Sequence, residues 1–262
     1  MAKHPQEDRN FDDLAKRFQS KIYDSMKGRL RLAVLRRDME LHLPQQPLNI
    51  LDVGAGQGQW ALEMLRKGNR VQLTDISAEM LALAKNNIGQ SDLPEDQKVA
   101  VRYLQTPLQE LSSSLSEKFD LVACHAVLEW LDEPEKIFTW ISPLLKENGW
   151  CSLIFYNLNG LIFKNLLRAN YKKVIKRDFR GSVGGLTPLN PLVPQDVIEW
   201  AKNAGYEVVC QSGIRVFHDY VLDKNNYQKD PDTVEKLELL YSQQEPYRDL
   251  GRYMHLLLRR IA

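Results

Sequence analysis

The stretch Leu48-Asn49-Ile50-Leu51-Asp52-Val53-Gly54-Ala55-Gly56-Gln57-Gly58 constrains this chain more than any other. A short apolar run carries an acid near its end, runs into glycines at alternate positions, and gives way to helix-forming residues from Trp60. The run has the length and composition of a buried strand. The glycines permit a turn whose backbone a ligand can approach closely. The helix start then offers N–H groups with no partner of their own. A strand, a glycine turn and a helix in this order are the opening unit of an open α/β sheet, which binds ligands at the carboxyl ends of its strands.

The rest of the chain continues the alternation. Strands are expected at Leu48–Val53, Arg70–Thr74, Val99–Leu104, Phe119–Cys124, Trp150–Tyr156, Tyr206–Arg215 and Tyr253–Arg259. Between them the spacing predicts helices at Gln59–Lys67, Ser77–Asn87 (Ser77 as N-cap, Met80, Leu81 and Ala84 inward), Glu133–Leu145, Val197–Ala204 and Pro231–Gln243. Glu147-Asn148-Gly149 reads as a turn into the fifth strand, and Gly205 as a helix stop. Before the first strand, Phe11, Leu14, Ala15, Phe18 and Ile22 recur at helical spacing, and Leu30–Leu43 forms a further helix. The expected fold class is α/β: a Rossmann-like, mostly parallel seven-stranded sheet with helices on both faces. To it are added a disordered tail at 1–10, a helical cap at 11–47 and a basic lid inserted at 160–194, the whole of 11–262 forming one domain.

Composition excludes some classes. The formal net charge of +1 gives no global basic signature, so contact with nucleic acid needs a local patch. Cys124, Cys151 and Cys210 are scattered, without a CxxC pair or a His/Cys cluster, and read as buried free thiols in a reducing, cytoplasmic compartment rather than as metal ligands. No apolar run approaches the ~20 residues of a membrane helix, and no signal peptide is visible at the start.

Several residues stand where chemistry is expected. Asp52 and Asp75 end the first two strands, and a carboxylate at Asp75 can accept both hydroxyls of a ribose. A nicotinamide-binding loop usually reads G-x-G-x-x-G. Here the glycines fall as G-x-G-x-G with an acid two residues before, which resembles the S-adenosylmethionine loop of class I methyltransferases. In that fold Leu108 and Gln109 lie at the adenine loop, and His125, with Glu129 and Trp130, at the reactive end. Tyr23, Lys27, Gly28 and Arg31 precede the first strand, and an arginine there can hold a carboxylate by a bidentate pair. In the lid, Lys164, Arg168, Lys172, Lys173, Lys176, Arg177 and Arg180 are interleaved with Tyr171 and Phe179, a combination suited to phosphate contact and base stacking.

Further segments carry a more specific likeness. These are Asp8-Arg9-Asn10-Phe11-Asp12-Asp13, Lys27-Gly28-Arg29-Leu30-Arg31 and His125-Ala126-Val127-Leu128-Glu129-Trp130. Others are Phe155-Tyr156-Asn157, Asn159-Gly160-Leu161, Gly213-Ile214-Arg215-Val216-Phe217-His218-Asp219-Tyr220, and Gln244-Glu245-Pro246-Tyr247 with Leu250-Gly251-Arg252-Tyr253. In these the chain resembles, nearly end to end, the bacterial tRNA 5-carboxymethoxyuridine methyltransferases. The resemblance implies methyl transfer from S-adenosylmethionine to the wobble-base carboxylate of a tRNA anticodon stem-loop, without metal or membrane. It assigns Arg31, Gly54, Ala55, Asp75, Leu108, Gln109 and His125 to the cofactor, and the loop geometry adds Asp52 and Gly56. Arg215, with His218 and Tyr156, is the expected holder of the substrate carboxylate, with Tyr220 and Arg252 nearby. Two alternatives stand beside this reading: a methyltransferase acting on a small-molecule or acyl-carrier carboxylate, and a non-catalytic RNA-binding protein on a relic fold.

Overall fold

A computed structural model describes residues 25–181, 188–223 and 230–261. The tail at 1–10, the helical pattern Phe11–Ile22, Tyr23 and lid residues 182–187 lie outside the described residues. Helix α1 (Met26–His42) leads to β1 (Asn49–Val53), α2 (Gln59–Arg66), β2 (Arg70–Asp75), α3 (Ala78–Gly89), α4 (Glu95–Ala100) and β3 (Arg102–Gln105). Next come α5 (Leu111–Ser114), β4 (Phe119–His125), α6 (Ile137–Ile141), β5 (Leu145–Tyr156), α7 (Leu158–Leu167) and α8 (Tyr171–Ile175). Helix α9 (Pro194–Asn203), β6 (Tyr206–Ile214), α10 (Pro231–Tyr241) and β7 (Tyr253–Arg260) complete the described elements.

The strands form one seven-stranded sheet in the order β3-β2-β1-β4-β5-β7-β6. Only β7 runs antiparallel, pairing with β5 and β6. Period-two alternation sends Leu51 and Val53 to one face and Ile50 to the other. The first face packs on α5, α6 and α9 through Leu111, Ile137, Phe138, Ile141, Val197 and Ala201. The second packs on α1, α2 and α3 through Val34, Leu35, Trp60, Met64, Leu81 and Ala84. The expected α/β class with helices on both faces is therefore what the chain adopts. Ser77 caps α3 by accepting the Met80 amide at 3.1 Å, and Met80, Leu81 and Ala84 are buried as expected.

Three local expectations change. Val99 lies in α4, 82% exposed, so β3 starts at Arg102; Pro94 followed by Glu95 and Asp96 starts a helix that the apolar residues Val99 and Val101 disguised as a strand. The helix expected over Glu133–Leu145 is segmented into 3-10 turns at Pro134–Lys136 and Ser142–Leu144 flanking α6, because Pro143 supplies no N–H to an α-helical ladder. The Glu147–Gly149 turn is absorbed into β5 as an irregularity of its pairing with β4, with Asn148 at φ 57°. In the lid, for which no helix was expected, α7 and α8 form.

The segments after β6 and before β7 pack backbone on backbone. A Cβ on Gly251 would stand 2.8 Å from the Gly213 Cα, and one on Gly213 would collide with the Arg248 carbonyl. This contact brings Arg215 and Arg252 to the same end of the sheet. Gly213→Ala should destabilise the fold by about 1–3 kcal/mol, the usual range for overpacking. Urea unfolding measures it, and an unchanged midpoint would show that the contact yields freely.

Candidate active site

The carboxyl ends of β1, β2 and β4 open into a cavity of about 400 Å³, within the range of small-ligand sites. Strand β1 lies between β2 and β4, so the connections leaving β1 and β4 diverge there and open a crevice. Gly54, at φ 65°, rims it; a Cβ at this position would run into the Val127 side chain. Asp75 is buried at the end of β2, where Oδ2 accepts the Gly56 amide and Oδ1 the Ser77 amide, each at 2.9 Å. These bonds lock the carboxylate against the glycine turn. Ile76, Met80, Pro107 and Leu108 supply an apolar slot beside it.

Deeper in the cavity the charges oppose one another. Asp52, Glu129, His125 and Arg31 all line it. Burial pushes the Asp52 carboxyl up to about 8, against the pull of Arg31. Glu129 is fully buried, and no well-aligned donor reaches either of its oxygens. Burial pushes its pKa up to about 7. His125 is held neutral because burial, and then the charge of Arg31, lower its pKa well below the usual range. Its ring meets Trp60 edge-on at 4.9 Å.

The far end of the same cavity is cationic. Asp219, its side chain 7% exposed, is ringed by Lys164 Nζ at 3.3 Å, Arg252 Nε at 3.6 Å and Arg215 Nη1 at 3.7 Å. Burial alone would raise the Asp219 pKa, but the His218 imidazole and these cations hold it far below the carboxylate range. Three cations share one anion, so the cluster retains positive charge. Arg252 stacks over Tyr156 at 4.6 Å and Arg215 over Tyr253 at 5.4 Å. The Arg252 Nη1 is buried without a hydrogen-bond partner. Arg215 sits at φ 60°, a left-handed conformation uncommon outside glycine. Glu238 of α10 holds the turn in place by accepting the amides of Val216 at 2.7 Å and His218 at 2.8 Å.

Arg31, Asp52, Gly54, Ala55, Gly56, Asp75, Leu108, His125, Tyr156 and Arg215 thus meet around one cavity. Gln109 is not among the lining residues, and His218 stands behind Asp219 with Nδ1 3.5 Å from Oδ1. Lys164, expected with the basic face of the lid, instead turns into the cavity and binds Asp219. Phe179 is buried against Tyr156 and Leu161 instead of standing ready to stack. Arg168, Lys172, Lys176, Arg177 and Arg180 are exposed and Lys173 partly so, as is Tyr171 at 58%. Lys164 follows the buried Leu161 by three residues and precedes the buried Asn165, so helical spacing carried the signal of its inward face. Asp219 and Glu238 carried no comparable signal. The three cysteines are buried and free. Among the described residues no helix is long and apolar enough to cross a membrane.

The cavity suits S-adenosylmethionine. The glycine rim excludes a side chain at the mouth, Asp75 has the chemistry to accept ribose hydroxyls, Asp52 and Glu129 to attract a cationic centre, and Arg31 to bind a carboxylate. A methyltransferase-domain profile matches residues 51–153. Magnesium protoporphyrin IX methyltransferase of Synechocystis PCC 6803, solved with bound SAH, superposes with a TM-score of 0.63 at 15% identity, covering 95% of this chain and 96% of that one. The protein is a class I methyltransferase whose cofactor is S-adenosylmethionine. A tRNA 5-carboxymethoxyuridine methyltransferase of Escherichia coli K12 is 35% identical over 257 residues, spanning 97% of both chains. A ubiquinone biosynthesis O-methyltransferase of Psychrobacter cryohalolentis reaches 33% over only 110 residues, 42% of this chain and 41% of its own. The chain belongs to the tRNA 5-carboxymethoxyuridine methyltransferase family.

The acids at the cofactor end have a consequence for stability. Glu129 has a pKa of about 7 in the fold and an ordinary value of 4.5, so between these pH values the folded state binds more protons than the unfolded one. Its burial therefore costs nothing below pH 4.5 and progressively more up to about pH 7. Glu129→Gln should leave the ligand-free protein little changed at pH 4 and make it more stable than the unsubstituted protein at pH 8, by roughly 3 kcal/mol. Denaturant unfolding at the two pH values checks this; a difference independent of pH would mean that the fold does not shift the Glu129 pKa.

Proposed function

We propose that this protein transfers the methyl group of S-adenosylmethionine to the carboxylate of 5-carboxymethoxyuridine at the wobble position of tRNA, giving the methyl ester. The observation that carries the reading is one cavity with a cofactor cradle at one end and the Arg215, Arg252 and Lys164 cluster at the other. The full-length likeness to the Escherichia coli enzyme supports it, since the likeness extends through the arginine cluster rather than stopping at the cofactor half. A small-molecule or acyl-carrier acceptor gives no reason for the exposed cations of the lid, and a relic gives none for the buried carboxylates at the cofactor end. In this reading residues 11–262 work as one domain in the cytoplasm, with 11–47 as cap and 160–194 as lid.

The chemistry follows from the acceptor. Bound S-adenosylmethionine supplies an electrophilic methyl group on a sulfonium. A carboxylate of ordinary pKa is ionised at neutral pH, so no residue needs to remove a proton. The chain's task is to position the acceptor. Arg215 and Arg252 grip the oxygen that does not react, because a tight ion pair on the reacting oxygen would stabilise the ground state more than the transition state, where its charge is being lost. Tyr156 packs beneath Arg252, and His218 acts through Asp219. Asp219 keeps the guanidinium groups in place without neutralising the cluster. Arg168, Lys172, Lys173, Lys176, Arg177 and Arg180 contact phosphates of the anticodon stem-loop, and exposed Tyr171 offers a stacking surface.

Incubation with S-adenosylmethionine and tRNA from cells lacking this protein, followed by nucleoside mass spectrometry, should convert carboxymethoxyuridine to its methyl ester. Arg215→Ala should slow that conversion about a hundredfold while cofactor affinity stays near normal. Absence of the ester with the unsubstituted protein sinks the substrate assignment. Replacing Lys172, Lys176 and Arg177 together by alanine should reduce the slope of log affinity against log salt by about 2. An unchanged slope would remove the lid face from the RNA contact.

A further inference from the structure

Behind the cavity wall, an unbroken line of buried polar groups runs from His125 through the sheet. His125 Nε2 lies 2.8 Å from Ser152 Oγ, Ser152 Oγ lies 3.0 Å from His255 Nε2, and His255 Nδ1 lies 2.7 Å from Asp38 Oδ2. The residues come from β4, β5, β7 and α1, and Ser152, His255 and Asp38 are each 0% exposed. They stand beside the apolar packing of Ile154, Ile214 and Leu35, where an unmatched polar group costs most. Holding the cofactor does not by itself call for groups at this depth.

The direction of the hydrogen bonds can be derived. Burial favours a neutral Asp38, but the His255 hydrogen bond and the Arg37 guanidinium lower its pKa and keep it ionised. Its other oxygen, Oδ1, accepts from Arg37 Nη2 at 2.6 Å, Arg37 Nε at 2.9 Å and Gln243 Nε2 at 3.1 Å. An ionised Oδ2 can only accept, so His255 Nδ1 carries a proton. A charged His255 would place a second cation against a carboxylate already paired with Arg37, at a fully buried position, with Arg31 and His125 on the same side of the sheet. With His255 neutral, its Nε2 accepts from the Ser152 hydroxyl, and Ser152 accepts from His125 Nε2–H. Every donor then meets one acceptor.

We infer that Asp38, acting through His255 and Ser152, fixes the proton of His125 on Nε2 and leaves Nδ1 as a buried lone pair beside the Trp60 indole, on a residue that lines the cofactor cavity. Asp38, Ser152 and His255 are positioning residues, in the way that the carboxylate of a catalytic triad sets the tautomer of its histidine. His125 Nδ1 and the indole Nε1 of Trp60 are both buried without hydrogen-bond partners, on rings that touch. This polarity sets an acceptor beside that donor, whereas the reverse would set two N–H groups on the two rings. It also keeps a neutral, electron-rich ring edge next to a cationic ligand. This last consequence rests on the cavity being the cofactor site.

Asp38→Asn tests the inference. Arg37 and Gln243 all donate to Oδ1, so the asparagine oxygen takes that place and its NH₂ faces His255. His255 must then accept at Nδ1, donate from Nε2 to Ser152, and so turn the relay around, leaving His125 protonated on Nδ1. Long-range ¹H–¹⁵N spectra of ¹⁵N-histidine protein read each tautomer directly. The expected result is Nε2–H on His125 in the unsubstituted protein, Nδ1–H in Asp38→Asn, and about tenfold weaker S-adenosylmethionine binding by calorimetry, the size of one lost polar contact. A folded Asp38→Asn protein that keeps Nε2–H on His125 overturns the inference. Should that variant fail to fold, Ser152→Ala breaks the relay at its centre; a mixture of His125 tautomers supports the inference, and a single retained Nε2–H form overturns it. A tautomer switch with unaltered cofactor affinity would overturn the functional consequence. Failure of the unsubstituted protein to bind S-adenosylmethionine would instead overturn the reading of the cavity, which the spectra do not depend on.

Discussion

The site depends on the reversal of strand order around β1. With β2 on one side and β4 on the other, the chain leaves the two central strands in opposite directions, and the space between their ends is left open. Everything chemical in the protein is arranged along that opening. The glycine turn narrows it at Gly54, and the carboxylate of Asp75 is tied to the turn by the Gly56 amide. The antiparallel β7 and the loop after β6 extend it to the arginine cluster.

The opening is electrostatically two-ended. Asp52, Glu129 and Asp75 collect at the cofactor end, and Arg215, Arg252 and Lys164 around Asp219 at the other. A sulfonium meeting a carboxylate is a reaction in which opposite charges cancel. A cavity that attracts the cation at one end and the anion at the other brings the two together without itself neutralising either. Burial of these charged groups strengthens both attractions. The buried acids are costly while the site lacks its cation, and binding a cation relieves that cost.

Much of this was legible in the sequence. Short apolar runs placed five of the seven strands to within a residue at each end, missing the starts of β3 and β5, and the glycine turn with Asp52 and Asp75 lies at the rim of the cavity. The misses have physical causes. Val99 and Val101 looked like part of a strand because apolar content near β3 outweighed the helix-start chemistry of Pro94 and Glu95. Lys164 was grouped with its charged neighbours, although helix geometry turns it toward Asp219, away from Lys172 and Lys176. Phe179 followed the same error in reverse, an aromatic in a basic run that packs inward on Tyr156. Linear grouping by charge fails wherever a helix divides one run between two faces.

The sequence by itself determined the layered α/β architecture, the turn that meets the cofactor and the residue types needed around it, because periodicity and backbone freedom are local properties. Only the tertiary structure decided which charges meet. Asp219 gathers cations from α7, the loop after β6 and the start of β7, and Asp38 reaches His125 through two strands that lie far from it in the chain. The Ser152–His255 and His255–Asp38 pairings each span more than a hundred residues of sequence, and they exist because strand order places those segments within hydrogen-bonding distance, a fact that no local pattern encodes.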